Sequence, residues 1–189
     1  MREDTRTRIQ EIALRLFTEQ GYEATSLREI AEELGVTKAA LYYHFKTKDD
    51  IVASLVDKRL EELEELLEWV RSRPRTPEMR RELVTRYAES VRSERHLGIS
   101  RFMERNQTAL RDHPTLIRIR ERMIELTSQI SEPDATPAER VSHSLALFAM
   151  HAGKWLLKEG ELSEDEIHKA CLEVAFRLLE PAGSGAPDR

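Results

Sequence analysis

A disulfide framework is excluded at the outset, because the chain contains a single cysteine, Cys171. That scarcity suits a reducing compartment, and a cytoplasmic location is expected. Glycine and proline are sparse too, at seven each among 189 residues, which excludes collagen-like and low-complexity architectures. No apolar run approaches the roughly 20 residues that a membrane-spanning helix needs. Arg2 to Arg8 lead into an amphipathic segment and not into the apolar core of a signal peptide. No segment shows the strict alternation of a strand, and no internal repeat is present. An excess of positive charge is also missing. The net charge is −5, which argues against indiscriminate nucleic-acid binding. His96, His113, His143, His151 and His168 have no compact ligand spacing, and only one thiol could join them, so neither a metal site nor a cofactor is expected. No nucleophile–base pair or paired carboxylates stand out, which argues against an enzyme.

What the chain does have is 40% apolar and 34% charged residues arranged at helical spacing, the composition of long amphipathic helices with solvated outer faces. An all-α fold of about nine helices is predicted. Ile9, Ile12, Ala13, Leu16 and Phe17 mark a first helix ending near Gly21. A long helix capped by Thr47 carries Val52, Leu55, Val56, Leu60, Leu63, Leu67 and Val70 in one stripe to about Arg71, where Pro74 and Pro77 interrupt it. Further helices are expected over 77–92, 96–110 and 114–130. Thr136-Pro137-Ala138-Glu139 then gives a start signal for a helix reaching about Leu157 or Lys158. Ser163 and Glu166 open a last one, and a Gly-, Pro- and Ala-rich tail over 181–189 is expected to be disordered.

The most informative stretch lies between Thr25 and Lys48. Ser26 with Glu29 forms a capping box ahead of a short helix whose Leu27, Ile30, Ala31 and Leu34 share one face. Gly35 supplies the left-handed residue that ends it, and Thr37 caps the next helix, with Val36 and Leu41 placed as a hydrophobic staple. With Leu41 and Phe45 turned inward, Lys38, Ala39, Tyr42, Tyr43 and His44 are left outside. Packing alone accounts for Leu27, Ile30, Leu34, Leu41 and Phe45. It does not account for an exposed Tyr42-Tyr43-His44 run, since large exposed rings cost solubility unless something uses them. A short, rigid, outward-facing helix is what a DNA major groove admits. Residues 34–48 also hold three lysines and a histidine with no acid, although residues 1–50 as a whole carry eight basic and ten acidic side chains.

Phe17, Gly21-Tyr22-Glu23-Ala24-Thr25-Ser26, Ile30-Ala31, Leu34-Gly35-Val36, Leu41-Tyr42-Tyr43-His44-Phe45 and Lys48 together closely resemble the N-terminal DNA-binding domain of the TetR family of bacterial transcriptional regulators. The resemblance covers about the first quarter of the chain. Beyond about residue 55 only length and helical character match. It implies a helix-turn-helix DNA-binding domain at 1–47 and a helical ligand-binding and dimerisation domain at 48–180, with 48–72 as linking helix. It further implies a homodimer on a near-palindromic, double-stranded operator, released by a small-molecule inducer that shifts the linking helix. Thr25, Ser26 and Arg28 then fall where the family touches phosphates, although capping alone would also explain Thr25 and Ser26. Thr37, Lys38 and Ala39 begin the recognition helix, where Ala39 and Ala40 offer only methyl contacts, so Lys38, Tyr43, His44 or DNA shape carries part of the specificity. Tyr42 and Lys48 are the phosphate contacts that the resemblance implies.

Polar groups interrupting apolar stripes suggest a ligand site among Tyr87, Phe102, Asn106, Arg120, Met123, Thr127, Phe148, His151 and Trp155, although each apolar member is equally explained as ordinary core. The last two helices resemble the family's dimerisation pair, with Val141, Leu145, Ala152 and Leu156 on the first and Cys171, Val174 and Leu178 on the second; Cys171 also reads as a small core residue. Two other readings of the same residues stay open. One is a ligand-sensing interaction module that no longer binds DNA, and the other is an activator of the same fold.

Overall fold

The structure of the protein is a computed structural model that describes residues 2–156 and 162–180, apart from the side chains of residues 2–4, 94–95 and 154–156. Nine helices run through the described residues: α1 (Arg2–Glu19), α2 (Leu27–Leu34), α3 (Lys38–His44), α4 (Lys48–Arg71), α5 (Pro77–Ser90), α6 (Glu94–Arg105), α7 (Pro114–Ile130), α8 (Pro137–Leu156) and α9 (Glu164–Leu178). None of them is long and apolar enough to cross a membrane. The expected tail over 181–189 and the expected end of α8 at Leu157 or Lys158 lie outside the described residues.

Local chemistry places most of these ends. Ser26 and Glu29 form the capping box of α2, and Gly35 ends the helix at φ 72°. Thr37 Oγ1 accepts the Ala40 N–H at the start of α3. At α4, Thr47 Oγ1 accepts the Asp50 N–H while Asp50 Oδ2 accepts from the Thr47 and Lys46 amides. The same reciprocal caps open α8 at Thr136 and Glu139, and α9 at Ser163 and Glu166.

One end departs from expectation. The helix predicted over 96–110 stops at Arg105, and residues 106–112 form turns. Asn106 stands at this end: its backbone N–H still bonds Phe102 O, while its side-chain amide donates to Phe102 O and to Phe17 O of a neighbouring helix. The final turn expected for α5 is likewise short by two residues, ending at Ser90.

The chain divides into two compact units, 1–61 with 94–120 and 62–93 with 121–189. The expected boundary between residues 47 and 48 therefore does not mark a packing division. The first unit has one continuous core in which Phe17, Ile30, Leu34, Leu41, Phe45, Ile51, Leu55 and Phe102 are buried. Phe17 and Phe102 rings lie 5.7 Å apart, and Gly98 of α6 lies beside Leu14 of α1. In the second unit α8 and α9 pair, and α5 packs against both. The pair crosses at Gly153, where any Cβ would fall 2.6 Å from Cys171 Sγ and Ile167 Cγ2. Two arginines hold the end of α7: Arg75 donates to Ser131 O, and Arg80 to Ile130 O. Beside them Ser131 Oγ lies 3.0 Å from Nδ1 of the buried His143.

Two stability predictions follow from these features. A Cβ at Gly35 meets nothing within 4 Å, so Gly35→Ala carries only the left-handed backbone strain; it should destabilise by about 1 kcal/mol, and Gly35→Asn by less, measured by chemical denaturation. Burial, followed by the charge of Arg80, pushes His143 below its ordinary value, with Glu139 opposing. The unfolded chain therefore takes up this proton first, and stability that is fully present above the ordinary value of about 6.5 is lost as pH falls below it. The melting temperature of His143→Gln should fall less over that range than that of the wild type.

Candidate DNA-binding surface

The first unit presents α3 by burying its other side. Leu41 is fully buried and Phe45 2% exposed, and this fixes the rotation of the seven-residue helix. Tyr43 is then 64% exposed, with its ring edge-on to His44 at 5.3 Å. Lys38 and Ala39 are also exposed, and Tyr42 is half-buried with the Lys38 ammonium 5.4 Å from its ring centre. Lys46 donates to Tyr42 O, which holds it along α3. The nearby acids are drawn into pairs: Glu32 with Arg28 at 2.6 Å and Glu33 with Arg15 at 2.6 Å. Both pairs are exposed and add little stability, but they neutralise the carboxylates closest to the turn. Arg28 is thereby engaged, with the Glu32 hydrogen bond raising its already high pKa.

Four of the expected DNA contacts have structural duties. Thr25 is 1% exposed and its hydroxyl donates to Gly21 O, so it closes the α1–α2 turn and its hydroxyl does not face solvent. This corrects its assignment as a phosphate contact. Ser26 is exposed, but its hydroxyl accepts the Glu29 amide as the cap of α2. Thr37 likewise spends its hydroxyl on the Ala40 amide. Lys48 is half-buried: its ammonium donates to Tyr22 O at 2.6 Å and Glu23 O at 3.3 Å and lies 4.5 Å from the Tyr22 ring centre. Burial lowers the Lys48 pKa against the opposing charges of Asp49, Glu23 and Glu29.

Tyr22 is a hub that sequence reasoning passed over. Its phenol donates to Asp49, its amide to Asn106 Oδ1, and its carbonyl accepts from Lys48. Burial, then the hydrogen bond to Asp49, holds the phenol well above its ordinary pKa. His113, 3.7 Å from Asp49, closes the group. The available signal was the Asn106 amide in an apolar stripe, which was read toward a ligand.

The expected ligand set does not assemble as one site. Phe102 is fully buried in the first unit's core, and Asn106 is bound to Phe17, Phe102 and Tyr22 there, so both leave the ligand set. Arg120 is exposed at the end of the first unit's residues. In the second unit Thr127 bonds its own helix at Ile124 O, and Phe148 is 50% exposed. The side chain of Trp155 lies outside the described residues. Tyr87, Met123 and His151 do converge, with the Tyr87 hydroxyl 2.8 Å from His151 Nε2 and 3.7 Å from Met123 Sδ.

Of the expected interface residues, Val141 (60%), Leu145 (49%) and Val174 (49%) are exposed apolar side chains, and Phe148 joins them. Ala152 and Leu178 are half-buried, and the Leu156 side chain lies outside the described residues. Cys171 faces Gly153 inside the α8–α9 pair, where burial pushes its thiol up; this removes it from the interface set.

The family described as "Bacterial regulatory proteins, tetR family" matches residues 9–55. The HTH-type transcriptional regulator AcrR of Shigella flexneri is 41% identical over 96 residues, covering 49% of this chain and 44% of that protein. The chain thus matches less than half the length of this curated relative. Among solved structures, AmtR of Mycobacterium smegmatis is similar with a TM-score of 0.67 and 25% identity over 93% of this chain and 86% of that one. NalD, the secondary repressor of the MexAB-OprM multidrug efflux pump in Pseudomonas aeruginosa, gives a TM-score of 0.67 and 26% identity over 93% and 95% of the two chains. The capped α2–α3 pair thus lies inside the segment that matches the tetR family of bacterial regulatory proteins, and the fold along nearly the whole chain is similar to those of AmtR and NalD.

Proposed function

We propose that the protein is a homodimeric DNA-binding transcriptional regulator, acting as a repressor that a small molecule releases from its operator. The observation that carries this reading is the exposed face of α3. Lys38, Ala39 and Tyr43 stand out from a helix whose other side is fixed by Leu41 and Phe45, with His44 half-buried beside them. Residues 1–47 supply the DNA contacts. Lys38 and Tyr42 meet phosphates, Ala39 offers a methyl to thymine, and Tyr43 and His44 reach base edges. Lys48 keeps its bonds to the Tyr22 and Glu23 carbonyls and offers the third donor of its ammonium to a phosphate. Similarity to NalD, a repressor by its description, supports repression over activation.

Dimerisation fits the half-exposed stripe of Val141, Leu145 and Phe148 on α8, spaced by four and three residues, with Val174 on α9. A second copy would bury this stripe, and a two-fold dimer reads an inverted repeat. The inducer site is assigned to residues 48–180, at Tyr87, Met123 and His151. By linkage, a ligand that weakens DNA binding must bind the DNA-free protein more tightly by the same factor.

Selection from a randomised duplex library should enrich an inverted repeat whose half-sites lie about one helical turn or a multiple apart. If no sequence is enriched, the chain is a ligand-sensing module and this reading fails. On the enriched duplex, Tyr42→Phe should lower affinity about evenly across sequence variants, whereas Tyr43→Ala should change preference at particular base pairs. Tyr43→Ala should leave the melting temperature unchanged, because the ring is mostly exposed. Leu145→Glu should shift sedimentation from dimer to monomer and weaken operator binding; an intact dimer would place the interface elsewhere.

A further inference from the structure

We propose that Asn106 is a positioning residue for DNA binding, holding the α1–α2 turn from outside the segment that matches the family's DNA-binding domain. The proposal rests on the DNA-binding reading above. Tyr22 is gripped at its amide by Asn106, at its carbonyl by Lys48 and at its phenol by Asp49. Lys48 and Asp49 belong to the matched segment, 9–55, whereas Asn106 reaches in from 84 residues along the chain. Asn106 is 6% exposed, and its amide orientation is fixed by three partners: Oδ1 accepts the Tyr22 N–H at 2.6 Å, and Nδ2 donates to Phe17 O and Phe102 O at 2.9 Å each. It therefore ties the last turn of α1 to the first residue after Gly21.

Gly21 makes this approach possible. Its φ of 100° is a backbone conformation that side chains with a Cβ rarely adopt, and it turns the chain so that the Tyr22 N–H meets Asn106 Oδ1. From this point the contacts run directly into the helix-turn-helix. The Thr25 hydroxyl and amide both donate to Gly21 O, and Ser26 next to it caps α2. Without Asn106, Phe17 O and the Tyr22 N–H lose their buried partner, and the turn that sets where α2 begins loses its hydrogen-bonded tie to the backbone of α1's last turn and keeps the Thr25 bonds to Gly21 O and the Lys48–Asp49 side.

The test compares the full-length wild type with Asn106→Leu and with Phe102→Leu, which weakens the same core without touching Tyr22. The probe is the duplex that the wild type enriches from a randomised library. Asn106→Leu should bind it roughly tenfold more weakly or worse, measured well below the melting temperature, with helix content kept and hydrogen exchange accelerated at the Tyr22 amide. Phe102→Leu should melt lower but keep its affinity within about twofold and its Tyr22 amide protected. If Asn106→Leu does not fold, the smaller Asn106→Ala takes its place, because it removes the acceptor for the Tyr22 N–H and the donors to Phe17 O and Phe102 O without adding bulk. Unchanged affinity in the Asn106 variant, or an equal loss in Phe102→Leu, would overturn the positioning role. A wild type that enriches no duplex would instead overturn the DNA-binding reading and carry this proposal down with it.

Discussion

Isolated helices shorter than about 12–15 residues are marginal in water, because nucleation costs more than a few hydrogen bonds return. Helices α2 and α3 have eight and seven residues. Neither can hold its shape alone, so the surface they present is set by what they bury. Ile30, Ala31 and Leu34 from α2, with Leu41 and Phe45 at α3, enter a core shared with Ile9, Ala13, Leu16 and Phe17 of α1 and Ile51, Val52 and Leu55 of α4. Once Leu41 and Phe45 are inside, the exposure of Lys38, Ala39 and Tyr43 follows from helical geometry. The exposed face of α3 is thus a by-product of apolar burial on the opposite side.

Charge reinforces that geometry through local pairing. The chain is net acidic, and its N-terminal 50 residues are too. Around the helix-turn-helix, however, Glu29 serves as a capping partner, Glu32 and Glu33 pair with arginines, and Asp50 accepts amides at the start of α4. Each carboxylate is oriented by a hydrogen-bond donor of the protein itself. The α3 surface keeps its positive character without a strongly basic domain, an arrangement that favours site-specific over indiscriminate binding.

The second unit follows a different logic. Its buried polar groups are few and are assembled from separate helices: Tyr87 with His151 and Met123, and Ser131 with His143 beside Arg75 and Arg80. Polar groups inside an apolar unit need partners, and partners drawn from different helices fix how those helices pack. On the outside, α8 and α9 keep apolar side chains half exposed, while Gly153 and Cys171 make the close contact between them.

Most of the fold was legible from local rules. Capping residues with glutamate three positions on, proline at a first turn, and glycine after a last apolar residue act through neighbours in sequence, so α2, α3, α5, α7, α8 and α9 start where their residues predict. The outward face of α3 was legible for the same reason, since helical spacing alone separates Leu41 and Phe45 from Tyr43. Long-range partners could not be read this way. Asn106 in an apolar stripe signals a buried amide that needs hydrogen bonds, but only the packing of α6 on α1 decides that Phe17 and Tyr22 provide them. Thr25 and Lys48 looked free for phosphate because Gly21 O and Tyr22 O, their partners, come within reach only when the turn closes. The sequence by itself determined which segments are helical and which side of each is apolar, because both depend on residues a few positions apart. Tertiary structure alone decided which polar side chains are spent inside the protein and which remain for a partner, because that depends on atoms brought together from distant parts of the chain.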